Sequence, residues 1–252
     1  MSNWTNVPIL MYHAVEDEAH PRPYKHLHVT KTEFEWQMRS LKKRGYQPIT
    51  FEALLSAQAG TTTLPPKPVI LTFDDGYDDL FANAFPVLTE LQFPYTVFLV
   101  SSLVGKTNEW VASEGLTPFP LLPWDRIKVM QATGFASFQP HTITHPHLAD
   151  MPLREARREM SESRDVLAQE LGTAMDVFCY PFGSFNEGVA DAAREIGYKC
   201  SVTTQFGRAR KGDDPMMLPR VSIYHIPPFS LDYGPAGLNY WWRIETRKDK
   251  RP

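Results

Sequence analysis

The sequence of 252 residues predicts an α/β fold, a distorted or incomplete (β/α) barrel of about seven parallel strands. Short apolar runs alternate with longer amphipathic segments, the pattern of βα units that build a parallel sheet. Polar residues able to do chemistry follow several of these runs, and in a barrel the loops at the strand ends carry the active site. Fewer than eight clear strands are found, so we expect incomplete closure.

The predicted strands are short runs rich in β-branched and aromatic residues. They span residues 7–13, 69–73, 95–100, 135–139, 177–180, 199–203 and 221–224. The predicted helices carry apolar residues at spacings of three and four. They include residues 32–44, 78–91, 124–133, 153–170 and 186–196. Asn186 is expected to cap the last of these helices, and Gly197 to end it.

Two clusters of polar residues at predicted strand ends indicate a metal site. Asp74 and Asp75 end one strand, where Gly76 allows a sharp turn. Adjacent carboxylates in a partly dry pocket favour a neutralising cation. His141 and His145 follow another strand, and with Asp75 they offer three ligands, which leaves a catalytic metal one position for water. The combination predicts a hydrolytic metal site.

Each cluster alone has an ordinary explanation. An Asp-Asp-Gly sequence is typical of a solvated turn, and histidines four residues apart often lie on a surface or in a core. The combination favours the site, because a third strand end, Tyr-Pro-Phe-Gly at residues 180–183, follows the first two in order. Several loops that assemble one site are typical of a barrel enzyme.

These motifs resemble those of the polysaccharide deacetylase family, carbohydrate esterase 4, also called the NodB-homology domain. The family's Thr-Phe-Asp-Asp-Gly motif is present at residues 72–76, and its His-Ser/Thr-x-x-His motif at residues 141–145. The third motif, Arg-x-Pro-Tyr/Phe-Gly, is present at residues 179–183 with Cys179 at the arginine position. Met-Tyr-His at residues 11–13 resembles the branch that includes poly-N-acetylglucosamine deacetylases.

The resemblance extends over roughly residues 7–224. We expect a NodB-like catalytic domain over residues 1–235 and an aromatic and basic tail over residues 236–252. A single barrel domain accommodates a chain of this length.

The resemblance implies a role for each residue of the predicted metal site. Asp75, His141 and His145 would bind a divalent metal, with Asp74 as the catalytic base beside the bound water. Zinc is expected from the ligand types, although cobalt, nickel and iron accept the same set. The backbone N–H of Phe182 would stabilise the oxyanion that forms during acetyl transfer to water.

The leaving amine needs a proton, which a histidine titrating near neutral pH is suited to donate. We favour His13, because the strand before it would deliver it to the loop-bearing end of the barrel. His225, which follows the last predicted strand, is the alternative. His147 is expected at the rim, because two imidazoles and one carboxylate complete the protein ligands of a catalytic metal.

Cys179 leaves Asp74 without the arginine that, by the resemblance, pairs with this aspartate and orients it. Arg220 is the candidate to supply a guanidinium from another segment, since its planar fork suits a carboxylate. The alternative is an ordinary surface arginine. Cys179 is expected to be a small buried residue, because nothing in the sequence indicates an activated thiol.

The resemblance implies a metal-dependent hydrolase that releases acetate from N-acetylated amino sugars of a glycan. The substrate would be poly-N-acetylglucosamine, an exopolysaccharide or a lipid-linked precursor. The alternatives are an O-acetyl carbohydrate esterase and a non-catalytic metal- or carbohydrate-binding relative, and the base Asp74 argues against the second of these. Trp110 and Trp124 are candidates to stack on sugar rings, although Trp124 is expected to pack the helix that it begins.

Charge and terminal segments limit the expected partners. A formal net charge of −3 gives no support for nucleic-acid binding. The chain shows no secretion signal and no apolar stretch long enough to span a bilayer, so we expect a cytoplasmic protein, or an extracytoplasmic one if a leader has been trimmed away. Aromatic residues at 240–242, with Arg243 and the mostly basic segment 247–251, favour weak contact with an anionic membrane surface, with a solvated tail as the alternative.

Overall fold

A computed structural model describes residues 6–16, 27–224 and 244–245. Its strands are β1 (Asn6–Val7), β2 (Ile9–Tyr12), β3 (Ala14–Glu16), β4 (His28–Thr30), β5 (Gln47–Pro48), β6 (Pro68–Phe73), β7 (Tyr95–Leu99), β8 (Ala136–Pro140), β9 (Val177–Cys179), β10 (Cys200–Phe206), β11 (Ala209–Arg210) and β12 (Leu218–Ser222). Its α-helices are α1 (Lys31–Lys43), α2 (Phe51–Gln58), α3 (Asp79–Asn83), α4 (Phe85–Leu91), α5 (Trp124–Ala132), α6 (Leu153–Leu171) and α7 (Glu187–Ile196).

Seven parallel strands form a nearly closed barrel flanked by helices. Their order is β8-β7-β6-β2-β12-β10-β9, and the short strand β5 pairs with the start of β6. Neighbours along this path pair in parallel. The predicted α/β fold, an incomplete barrel of about seven strands, is confirmed.

The strands are buried on both faces, as a parallel sheet covered by helices requires. Every residue of β2 and β6 is buried. Alternate residues enter two separate clusters: Ile9 and Ile70 lie in one, and Leu10 and Leu71 lie in the other. The second cluster also holds apolar residues of α1 and α4, and the first holds Phe51 and Leu54 of α2, so alternate residues of a strand pack into different apolar clusters.

The strands β8 and β9 stand at the two ends of the strand order, and side chains connect them. The Gln139 Oε1 atom accepts the Val177 N–H at 2.9 Å, and its Nε2 atom donates to the Ala174 carbonyl at 3.2 Å. The ring of His141 hydrogen-bonds the Cys179 carbonyl at 2.8 Å. Buried side chains therefore satisfy backbone groups that a strand ladder would otherwise pair.

Two predicted elements are divided in the structure. The first strand, predicted at residues 7–13, is β1 and β2 with Pro8 between them, and His13 lies just past β2. The helix predicted at residues 78–91 is α3 and α4, which meet at Ala84. Pro86 explains the second break, because a proline lacks the N–H that a continuous helix needs and clashes with the preceding turn.

The other element predictions differ mainly at their ends. The last strand begins at Leu218, three residues earlier than predicted, and ends at Ser222. The Asn186 side chain accepts the Val189 N–H at 3.0 Å as the cap of α7, and Gly197 ends that helix in a left-handed conformation, both as predicted. Helix α2 was not predicted from the sequence.

The tail over residues 236–252 lies outside the described residues except for Ile244 and Glu245. Ile244 is buried against the main core, and the Glu245 carboxylate lies 3.3 Å from Arg44. The predicted membrane contact of the tail therefore remains a prediction. None of the helices among the described residues has both the length and the apolar character needed to cross a bilayer.

Candidate functional site

Three side chains meet at the carboxyl ends of β6 and β8. The Asp75 Oδ1 atom lies 3.4 Å from the His141 Nε2 atom and 3.3 Å from the His145 Nε2 atom. All three residues are buried, and one potential ligand atom from each lies within 4.8 Å of the others. The structure thus brings together the three residues that the sequence predicts as metal ligands.

The backbone around these ligands adopts unusual conformations. Asp75, Thr142 and His145 have φ angles of 70°, 69° and 66°, in the left-handed region that non-glycine residues rarely occupy. Such residues cost of order 1–3 kcal/mol each and cluster at functional sites. Gly76 continues the turn at φ 73°, where an added Cβ would lie 2.6 Å from the Leu99 Cδ2 atom. A side chain at position 76 would therefore strain the backbone and force the Leu99 side chain to move.

The hydrogen bonds and charge of the three candidate ligands suit the binding of a cation. Since the Nδ1 atom of His141 is engaged by the Cys179 carbonyl, its Nε2 atom is left to face Asp75. Burial alone would raise the pKa of Asp75, but hydrogen bonds from His141 and His145 outweigh burial and hold that pKa well below its ordinary value. One ionised carboxylate and two imidazoles fit a divalent cation.

Asp74 is held by a fully buried arginine. The Arg220 Nη1 and Nη2 atoms each donate to one carboxylate oxygen of Asp74 at 2.6 Å, a bidentate pair. Arg220 also donates to the Thr203 carbonyl at 2.9 Å and to the Thr72 hydroxyl at 3.1 Å. Burial would raise the pKa of Asp74, but the Arg220 charge and hydrogen bonds bring it below its ordinary value. Asp74 is therefore held as an oriented carboxylate.

Cys179 is buried beside this pair. Its Sγ atom lies 3.3 Å from the Arg220 Nη2 atom and 3.6 Å from the Asp74 Oδ2 atom. Burial raises the pKa of the thiol, which therefore stays protonated. A small side chain on β9 leaves room for the guanidinium that reaches Asp74 from β12.

His13 enters the same site from the end of β2. Its Nε2 atom lies 3.9 Å from the Asp74 Oδ2 atom. Its Nδ1 atom is buried and has no hydrogen-bond partner among the described residues. Burial lowers the pKa of His13 below 6.5, which makes its protonated form a stronger acid. The alternative proton donor, His225, lies outside the described residues.

Aromatic side chains form part of the wall of the pocket that contains these residues. The Trp110 ring stacks on His145 with centroids 4.2 Å apart, and the Phe182 ring meets His145 edge to face at 4.5 Å. His147 stacks on Phe182 at 4.0 Å, outside the ligand set. Phe182 has an unusual backbone conformation, with a φ of 57°, and the residue is 44% exposed. Trp124 begins α5 and packs against the core.

Two residues near Asp75 had no role in the sequence prediction. Burial and the charge of Asp75 raise the pKa of Tyr77, and the Asn108 Nδ2 atom donates to the Tyr77 hydroxyl at 3.0 Å. Tyr77 directly follows the Asp-Asp-Gly turn, and this position in the sequence is only weak evidence for a role at the site. Asn108 is distant in sequence, and only the folded loop brings it to the site.

The fold and the site together define a class of protein: a parallel-strand barrel with a candidate Asp-His-His metal centre and a separate, arginine-held carboxylate. The profile of the family described as polysaccharide deacetylase matches residues 61–201. The chain belongs to this family, which confirms the resemblance of its motifs. It is therefore a hydrolase of the polysaccharide deacetylase type.

Individual relatives agree with this assignment. The Bacillus subtilis protein YxkH is 30% identical over 217 residues, which cover 86% of this chain and 71% of YxkH. The Escherichia coli K12 poly-β-1,6-N-acetyl-D-glucosamine N-deacetylase is 25% identical over 275 residues, which cover 96% of this chain and only 39% of that protein. The solved Streptococcus pyogenes deacetylase PplD, in complex with acetate, has a TM-score of 0.74 and 28% identity over 87% of this chain and 92% of PplD.

Proposed function

We propose that this protein is a metal-dependent de-N-acetylase of N-acetylglucosamine-containing glycans, releasing acetate and leaving a free amine on the sugar. One observation carries the proposal: Asp75, His141 and His145 share a pocket with the Arg220-bound carboxylate of Asp74. The similarity to the E. coli poly-β-1,6-N-acetyl-D-glucosamine N-deacetylase supports the choice of substrate.

Asp75, His141 and His145 would hold the metal, and zinc is our choice because this mixture of carboxylate and imidazole suits it. When bound, such a cation lowers the pKa of water and polarises an acetyl carbonyl. Protein groups would supply the proton transfers and the stabilisation of the oxyanion. Asp74, ionised beside Arg220, would accept a proton from the attacking water.

Two further groups would complete the reaction. The backbone N–H of Phe182 would stabilise the oxyanion, since Phe182 lines the same pocket. His13 would protonate the leaving nitrogen, because its ring lies beside Asp74 at the floor of the same pocket. His225 is the alternative donor. Comparing kcat of His13→Ala with kcat of His225→Ala distinguishes the two histidines.

Acetate release tests the proposal directly. Metal-depleted protein is incubated with N-acetylglucosamine oligomers and, separately, with an O-acetylated sugar, before and after zinc is added back. We expect zinc-restored release from the oligomers. Faster release from the ester would replace the proposal with an O-acetyl esterase, and no release despite one bound zinc per chain would indicate a binding protein.

A further inference from the structure

The loop that carries two of the candidate ligands is strained. Between His141 and His145 the chain places Thr142 in the left-handed region at φ 69°, and His145 itself follows at φ 66°. A β-branched threonine is particularly disfavoured there. A loop of this kind keeps its shape only when surrounding groups determine it.

Its carbonyl groups are bound from one side. The Ser101 N–H donates to the Thr142 carbonyl at 3.0 Å, and the Ser102 N–H donates to the Ile143 carbonyl at 3.2 Å. The Ser102 hydroxyl donates to the same Ile143 carbonyl at 2.6 Å. These bonds come from the short 3₁₀ segment that follows β7, and they leave the N–H groups of the loop to be satisfied elsewhere.

A single carboxylate on α6 binds three donors in the middle of the loop, whereas the His145 N–H donates to the Thr142 hydroxyl at 2.9 Å. The Glu159 Oε2 atom accepts the Ile143 N–H at 2.8 Å and the Thr144 N–H at 3.0 Å, while its Oε1 atom accepts the Thr144 hydroxyl at 2.7 Å. Glu159 is half-buried and sits on a 19-residue helix anchored by the buried residues Ala156 and Met160. The helix therefore presents a fixed anion to the middle of the loop.

We infer that Glu159 is a positioning residue for the metal site, acting through the loop to hold the His145 imidazole in place. A carboxylate suits this task because it accepts three bonds and donates none, and bonds to a charged acceptor are about twice as strong as neutral ones. The neighbouring Arg158 pairs instead with Glu162 at 3.1 Å. This inference rests on the proposed function, because it assumes that the loop holds a metal.

Zinc affinity tests the inference without an activity assay. The dissociation constant for zinc is measured by competition with a chromophoric chelator for wild type, Glu159→Ala and Glu159→Gln. Glu162→Gln is the matched control, since it alters a more exposed carboxylate on the same helix. Circular dichroism of the metal-free proteins verifies that each variant is folded.

Loss of a group that supports a ligand typically costs 10–100-fold in metal affinity, so we expect a dissociation constant raised by roughly that factor in Glu159→Ala. We expect a smaller rise of the dissociation constant in Glu159→Gln, because glutamine keeps one acceptor oxygen. This variant should fold even if the alanine variant does not. In the control, Glu162→Gln, the dissociation constant should change by no more than about twofold. Saturating zinc should restore kcat in both Glu159 variants.

Two results would overturn the inference, and they differ in whether the proposed function also fails. If wild type binds one zinc and the folded Glu159 variants bind it equally tightly, Glu159 has no positioning role, while the proposed function stands. If wild type binds no zinc, the proposed function fails, and this inference fails with it.

Discussion

At the scale of single residues, the site depends on how one buried charge is balanced by another. The guanidinium of Arg220 is completely buried, and Asp74 is the carboxylate that it binds through both terminal nitrogens. In this chain the arginine comes from β12, and Cys179 on β9 makes room for it. The carboxyl ends of parallel strands meet at one end of a barrel, so either strand can deliver a group to Asp74.

The Asp74→Asn substitution separates metal binding from turnover. The amide cannot accept a proton from water, so we expect acetate release to fall by roughly 10²–10⁴-fold while zinc affinity changes little. The variant should also unfold more easily, because a buried Arg220 left without an anionic partner costs about 3 kcal/mol or more. Acetate release, bound zinc per chain and thermal unfolding measure the three effects.

Asp78→Asn is the matched control for this substitution. Asp78 pairs with Arg126 at 2.6 Å, but both side chains are partly exposed, so loss of that pair should cost less than about 1 kcal/mol and leave turnover intact. Activity of Asp74→Asn close to that of wild type would remove Asp74 from the role of base.

The pH dependence of stability tests the environment of His13. Burial lowers the pKa of His13 in the folded protein below 6.5, so the unfolded chain binds the proton more readily. Above pH 6.5 the neutral imidazole of His13 does not oppose folding. As the pH falls below 6.5, the unfolded chain binds the proton first, and the folded protein loses stability until the pH passes the folded-state pKa. We expect His13→Gln, which removes this titration, to lose less stability than wild type between about pH 7.5 and about pH 5.5. Thermal unfolding in chelator measures this, and equal losses would contradict it.

At the scale of elements, local patterns predicted the strands and the residues at their ends. The fully buried and mostly apolar β6, followed by Asp74 and Asp75, is readable from the sequence, because burial on both faces and a tight turn leave clear signals. The stacking of Trp110 on His145 and the bonds of Glu159 to the 141–145 loop were not readable. They depend on left-handed backbone at non-glycine residues, which no local sequence pattern specifies.

The turn after β6 gives a prediction at this scale. Residue 76 has a left-handed backbone and lies next to the candidate ligand Asp75. Gly76→Ala would place a methyl group there, 2.6 Å from the Leu99 side chain. We expect a loss of roughly 1–3 kcal/mol of stability and weaker zinc binding. Urea unfolding and chelator competition measure the two effects.

Gly134→Ala isolates the steric part of that change. Gly134 has a nearly equal φ of 76° but no atom within 4 Å of an added Cβ. It should cost about 1 kcal/mol through backbone strain alone and leave zinc affinity unchanged. Equal behaviour of the two variants would mean that contact with Leu99 plays no part.

At the scale of the whole molecule, the barrel must be held together where its strand ladder is incomplete. Gln139 on β8 is buried, and its amide accepts the Val177 N–H of β9 and donates to the Ala174 carbonyl just before β9. His141 and Cys179 meet across the same gap, so this junction lies directly beneath the candidate metal site. Stability of the junction and geometry of the site are therefore expected to change together.

Gln139→Leu tests this connection between barrel closure and the site. Leucine keeps the approximate volume but leaves the buried Val177 N–H without its acceptor, which costs roughly 1–3 kcal/mol. We expect a lower urea midpoint and, because β9 carries the carbonyl that orients His141, a raised zinc dissociation constant. Gln205→Leu, an exposed glutamine on β10, should change neither quantity. If Gln139→Leu lowers stability yet binds zinc as wild type does, closure of the barrel and the geometry of the site are independent.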